Sequence, residues 1–202
     1  MNQVKILSWF LEVGKREIVV NRVFCCLIGV VGFILLTALG AFVWIPLPFT
    51  PVPITLQTFF VLLAGAALGG RFGLISQAGY VTLGIFGLPV FAGISGGWMR
   101  ILSPTGGYLL GFILAGWIVG RLITLKKRTS FSWAIFSMLI GSCAIYLLGT
   151  LHLALVTGCG IEKAIYMGVL PFIPGDMLKL IGAASVYYKC QTRWREIFWS
   201  FT

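Results

Sequence analysis

VFCCLIGVVGFILLTALGAFVWIPLPFTPVPITLQTFFVLLAGAALGG, residues 23–70, carries no charged side chain. Laid out as one α-helix, this run would extend roughly 70 Å, more than twice a hydrocarbon core of about 30 Å. The chain must therefore turn within it. Pro46, Pro48, Pro51 and Pro53 mark the place, because proline lacks the amide that a helix interior needs. The run reads as two spans, helix 1 over 24–45 and helix 2 over 55–70, with Thr55 as N-cap of the second.

The rest of the chain fits the same solvent. Hydrophobic residues make up 59% of it, charged residues 10%, and the mean hydropathy is +1.02. A soluble domain carries about a quarter charged residues, so this chain cannot cover its surface against water. At 202 residues there is room for about six spans and no sizeable extramembrane domain. A soluble ATPase module therefore has nowhere to sit.

Beyond residue 70 the pattern repeats. Gly69-Gly70-Arg71 turns the chain, and helix 3 runs over 72–87 to Gly87-Leu88-Pro89. A glycine-rich connection, 90–103, follows. Helix 4 covers 105–124 and ends at Lys126-Lys127-Arg128; helix 5 covers 132–157. Gly158-Cys159-Gly160 makes the next turn, and helix 6 covers 162–189 with a break expected near Pro171 and Pro174. The expected fold is an all-α integral membrane protein, a six-transmembrane-helix bundle over 23–190. Segments 1–22 and 191–202 read as cytoplasmic tails.

The net charge of +10 is a topology signal before it is a binding signal. Lys5, Lys15, Arg16, Arg22, Arg71, Arg121, the 126–128 cluster, Lys189, Arg193 and Arg195 fall on one side of the predicted spans. Arg100 and Lys163 fall on the other. The positive-inside bias places both termini in the cytoplasm. No nucleic-acid partner is expected, since such a partner needs a basic patch on a water-exposed face. The five cysteines form no CxxC pair, and His152 stands alone without metal-ligand spacing. No metal or cofactor is expected.

Charge inside a span is the informative feature. Asp176 and Lys179 share one helix face at i and i+3, and each costs about 2.5–3.5 kcal/mol at a span centre. The bland reading is that they pair with each other and hold the bundle together. Phe172-Ile173-Pro174-Gly175 just before them looks like a broken helix restarting near the carboxylate, and interrupted backbone at membrane depth commonly lines a cavity. That favours a solute site. Arg100 lies in the glycine-rich loop with Phe91, Gly96, Gly97 and Trp98, and a loop of this length often caps a pocket. Gln57 and Tyr80 are polar handles in apolar helices. The candidate substrate-binding set is thus Asp176, Lys179, Arg100, Gln57, Tyr80, Phe91, Gly96 and Gly97. Gly65–Gly69, Gly107–Gly111 and Gly116–Gly120 are GxxxG spacings that read as helix packing. Ser103-Pro104-Thr105-Gly106-Gly107 lacks the lysine of a P-loop. One carboxylate, one lysine and one unpaired histidine make a thin catalytic set, so no enzyme is expected.

Four stretches together carry a family resemblance. They are Pro46-Leu47-Pro48-Phe49-Thr50-Pro51-Val52-Pro53-Ile54-Thr55-Leu56-Gln57-Thr58, Gly84-Ile85-Phe86-Gly87-Leu88-Pro89-Val90-Phe91, Pro104-Thr105-Gly106-Gly107-Tyr108-Leu109-Leu110-Gly111-Phe112, and Pro171-Phe172-Ile173-Pro174-Gly175-Asp176-Met177-Leu178-Lys179. In this order the chain resembles the BioY family, the substrate-binding (S) components of energy-coupling factor (ECF) biotin transporters. The resemblance implies a six-helix S-component fold, capture of biotin from outside, and handover to a transmembrane coupling (T) subunit with two cytoplasmic ATPases in the bacterial plasma membrane. It maps the family's acidic and basic residues onto Asp176 and Lys179. Ser103 departs from a usual glycine. The helix 1 docking stripe is blurred to Gly29, Gly32, Ala38, Gly40 and Ala41. A stand-alone biotin or small-vitamin carrier is the alternative reading, and loop 90–103 is expected to order over bound substrate.

Overall fold

The structure, a computed structural model, describes residues 23–199. The predicted N-terminal tail, 1–22, lies outside the described residues. Helix α1 spans Val23–Phe42, ending three residues earlier than expected, with Leu27, Ile28, Val31, Leu35 and Leu39 facing outward. The proline-rich segment after it is not a simple turn. It forms an antiparallel hairpin of β1 (Trp44–Leu47) and β2 (Thr50–Thr55), with Trp44 opposite Thr55, Ile45 opposite Ile54 and Leu47 opposite Thr50. The cause is local: Ile45, Leu47, Thr50 and Val52 each precede a proline, which pushes them into the extended region. In a two-stranded ribbon both strands are edges, where missing proline amides are tolerated.

Helix α2 covers Gln57–Ile85, with Leu56, one residue beyond Thr55, at its N-cap position. Thr55 still serves the helix start, accepting from the Gln57 amide at 3.4 Å. The helix is interrupted at Gly69, whose φ of 78° and ψ of 173° belong to a region that side-chain-bearing residues avoid. The two arms fold back on each other. Gln57 and Tyr80 would stand roughly 35 Å apart along a straight helix, yet their side chains are 2.6 Å apart. The expected turn at Gly69-Gly70-Arg71 is therefore present, and α2 supplies two antiparallel helices rather than one long span.

Helices α3 (Gly106–Thr124) and α4 (Phe131–Thr157) follow as expected. The last expected helix is two: α5 (Ile161–Gly168) and α6 (Ile173–Phe198), bent by 56° at a break over 169–172 that holds Pro171, with Pro174 in the first turn of α6. Counting that bent pair as one span and the two arms of α2 as two, the described residues form six. The boundary expected at 190 falls inside α6, which continues as helix to Phe198. The reason is a polar clamp: Gln191 exchanges two hydrogen bonds with the Thr129 backbone, both 3.1 Å. Arg195 donates to Thr129 Oγ1 at 2.6 Å and to the Lys127 carbonyl.

Glycine lets these helices touch. A Cβ at Gly65 would stand 2.7 Å from the Gly116 carbonyl oxygen, and one at Gly120 would stand 2.3 Å from the Gly69 backbone. Several of the described basic residues gather at one end of the bundle. Arg121 packs on Gly70 at the α2 reversal, and Arg195 binds the α3–α4 loop bearing Lys126, Lys127 and Arg128. Two apolar clusters fill the bundle. One holds Leu62, Val119, Ile123, Met138 and Leu180, towards the basic end. The other holds Val61, Tyr80, Phe112, Ile145 and Leu153, towards the hairpin. His152 bonds the Ser103 carbonyl at 3.1 Å, a structural role.

Candidate functional site

Pro174 lies in the first turn of α6, where a missing amide costs nothing because that N–H has no intrahelical partner. This start sets Asp176 in the first helical turn, at the end of the helix macrodipole that favours a carboxylate. Lys179 lies one turn later, and its ammonium reaches back to Asp176 Oδ1 at 2.6 Å. This is the one ion pair among the described residues. Thr58, at the start of α2, donates to the same oxygen at 3.3 Å, and Tyr146 of α4 donates to Oδ2 at 2.6 Å. Asp176, 7% exposed, thus joins three helices through a carboxylate with three donors.

The pair is not sealed off. Asp176 and Lys179 open onto a cavity of about 390 Å³, within the size range of small-molecule sites. The β1–β2 hairpin covers it with Trp44, Pro46, Leu47, Thr50 and Val52. Phe91, Ala92, Gly93, Ser95 and Arg100 close one side, Tyr108 and Phe112 of α3 another, and Ile145 and Phe172 complete the apolar wall. The chemistry is a mostly apolar box with one acid, two bases and a few neutral polar groups. Lysine has three N–H donors, and one is directed at Asp176. Two remain for a guest.

Of the eight residues singled out by sequence, the fold brings Asp176, Lys179, Arg100, Gln57 and Phe91 to this cavity. It does not bring the other three. Tyr80 is fully buried behind the wall, edge-on to Phe91 with ring centroids 5.6 Å apart. Its hydroxyl accepts from Gln57 Nε2 at 2.6 Å and donates to the Val90 carbonyl at 3.0 Å. Gly96 is packed against backbone, where a Cβ would stand 2.3 Å from the Leu88 carbonyl oxygen. Gly97 is a turn residue, with φ 97° and its amide bonded to the Gly84 carbonyl at 2.7 Å. Both glycines shape the loop rather than line the cavity. Trp98 is exposed on the outer surface.

Sequence reasoning missed Tyr146, Thr58, Tyr108 and the hairpin. The hairpin had a signal in its pre-proline residues. Tyr146 had a weaker one, a hydroxyl inside an otherwise apolar span. Nothing in the chain order says that α4 would present that hydroxyl to a carboxylate 30 residues away.

Comparison with known proteins gives a consistent set of relatives. The BioY family pattern matches residues 15–196. The biotin transporter BioY of Thermotoga maritima is 44% identical over 154 residues, covering 76% of this chain and 88% of that protein. The biotin transporter BioY of Rhizobium etli is 37% identical over 180 residues, covering 85% and 90%. Among solved structures, the S-component for biotin from an ECF-type ABC transporter superposes with a TM-score of 0.81 at 24% identity, covering 88% of this chain and 97% of that one. The six-span architecture, with its proline hairpin over a charged cavity, is thus the S-component fold carried by a multi-pass membrane chain, and the chain belongs to the BioY family.

Proposed function

We propose that this chain is the substrate-binding subunit of an ECF-type transporter and captures biotin in the cavity beneath the β1–β2 hairpin. The observation that carries the reading is the Asp176–Lys179 pair: it borders an apolar-walled hollow instead of being buried against protein on every side. Biotin combines an apolar bicycle, a polar ureido edge and a carboxylate that is ionised at neutral pH. Trp44, Phe91 and Phe172 supply apolar surface for the bicycle. Lys179 donates to the ureido carbonyl, with Asp176 holding the ammonium in place. Arg100, on the loop, meets the carboxylate through charge-assisted hydrogen bonds.

Ordering of 90–103 and of the hairpin over the bound molecule shields these bonds from water. Release is then the task of the partners, a T subunit with two cytoplasmic ATPases, since the chain carries no nucleotide motif. The basic end of the bundle, with Arg121, the 126–128 loop and Arg195, faces the cytoplasm by the positive-inside rule. Both termini lie on that side of the bacterial plasma membrane. The decisive experiment is equilibrium binding of biotin to the purified protein, with thiamine and riboflavin as controls. Saturable binding of biotin alone is expected; binding of either control in preference to biotin overturns the assignment.

A further inference from the structure

Asp176 is the obvious acceptor for a ligand N–H, yet most of its capacity is taken. Lys179 and Thr58 donate to Oδ1, and Tyr146 donates to Oδ2. A carboxylate offers about four acceptor sites, so about one is left. The cavity holds a second acceptor, and its direction follows from donor counting.

The Val90 carbonyl can only accept. Tyr80 Oη lies 3.0 Å from it, so the phenolic hydrogen is committed there. The phenolic oxygen can then only accept from Gln57, 2.6 Å away, which fixes the nearer amide atom as Nε2. Gln57 is 4% exposed and lines the cavity. Its Oε1 accepts no hydrogen bond among the described residues, and it is not among the polar atoms buried without a partner, which are Gln77 Oε1 and Thr150 Oγ1. Oε1 therefore keeps some accessible surface, on a residue that lines the cavity.

We infer that Tyr80 is a positioning residue that locks the Gln57 amide with its carbonyl oxygen towards the guest, making Gln57 the acceptor for one N–H of the ligand's urea edge. The inference rests on the cavity being the biotin site, and it deepens that reading. It also gives Tyr80, which touches no guest, a definite task. The three-group chain Gln57–Tyr80–Val90 links α2's two arms to the start of the capping loop. The same bonds that close the α2 hairpin therefore set the polarity of the wall. A site wired this way prefers a donor edge and disfavours a ligand presenting a carbonyl or ring nitrogen acceptor at that point.

The test is a double-mutant cycle read as biotin affinity on purified protein, with folding checked by thermal unfolding. Gln57→Leu removes the acceptor and is expected to weaken binding about tenfold. Tyr80→Phe leaves the acceptor but frees the amide to rotate, and is expected to weaken binding about fivefold. Because Tyr80 acts only through Gln57, the double variant should bind within twofold of Gln57→Leu. Losses that multiply would overturn the inference, as would a Tyr80→Phe protein within twofold of wild type. If Tyr80→Phe does not fold, Gln57→Glu and Gln57→Met carry the test. Glu, which keeps an acceptor, should bind more tightly than Met, and the reverse order overturns the inference. Failure of the wild type to bind biotin at all sinks the reading of the cavity, and this inference with it.

Discussion

Replacing Lys179 with methionine separates a residue that holds the bundle together from one that meets a solute. In the free protein the substitution strips Asp176 of a cation 2.6 Å away. Breaking a fully buried pair from one side costs about 3–5 kcal/mol. Here the carboxylate keeps the Thr58 and Tyr146 hydroxyls and borders a cavity that admits water, so a loss of about 1–2 kcal/mol is expected. Adding Asp176→Asn removes the stranded charge, and the amide oxygen still accepts from Tyr146. The double variant should therefore recover most of that stability. Binding should not recover. A charge-assisted hydrogen bond to the guest is worth about 1.5–3 kcal/mol, so Lys179→Met should raise the biotin Kd roughly 10- to 100-fold, and the double variant should be no better. The assays are thermal or denaturant unfolding without ligand and titration calorimetry with biotin, on all four proteins of the cycle. Recovery of both stability and affinity in the double variant would show that the pair only braces the helices. A Lys179→Met protein binding within twofold of wild type would refute its contact with the guest.

Other substitutions probe separate parts of the site and the bundle. Arg100→Gln should weaken biotin about tenfold while leaving biotin amide nearly unaffected, because only the acid offers the guanidinium a partner charge; competition binding with the two ligands checks this. Tyr146→Phe removes the 2.6 Å donor to Asp176 and should cost about 1 kcal/mol of stability, read by thermal unfolding. Gly69→Ala forces a side chain into the φ 78°, ψ 173° conformation and should cost about 1–3 kcal/mol with biotin affinity unchanged per folded molecule. Arg195→Met removes the bonds to Thr129 Oγ1 and the Lys127 carbonyl, so limited trypsin digestion should cut at 126–128 faster than in wild type.

Residues 23–70, with their missing charges and four prolines, determine by themselves that this chain lives in lipid and turns inside it. Pro171 and Pro174 ahead of Asp176 mark where the last span breaks and restarts, and Gly69-Gly70 where the second span reverses. These features were legible because their causes are local: transfer free energy, the absent proline amide and the forbidden φ of a side-chain-bearing residue act within a few residues of the chain. The acid–base pair was legible for the same reason, since i and i+3 share a helix face wherever the helix goes.

What the sequence left undecided was whether that pair faces protein or a hollow, and which groups from other helices surround it. That depends on Thr58, Tyr146, Arg100 and the hairpin meeting across sequence separations from about 30 to more than 100 residues. Only the packing of the bundle, with Gly65, Gly73 and Gly116 in close contact, sets those meetings. Tyr80 shows the difference most clearly. Its polarity marked it as a candidate for the guest, but the reversal at Gly69 turns it behind Gln57. There it directs the site without touching the space the guest would fill.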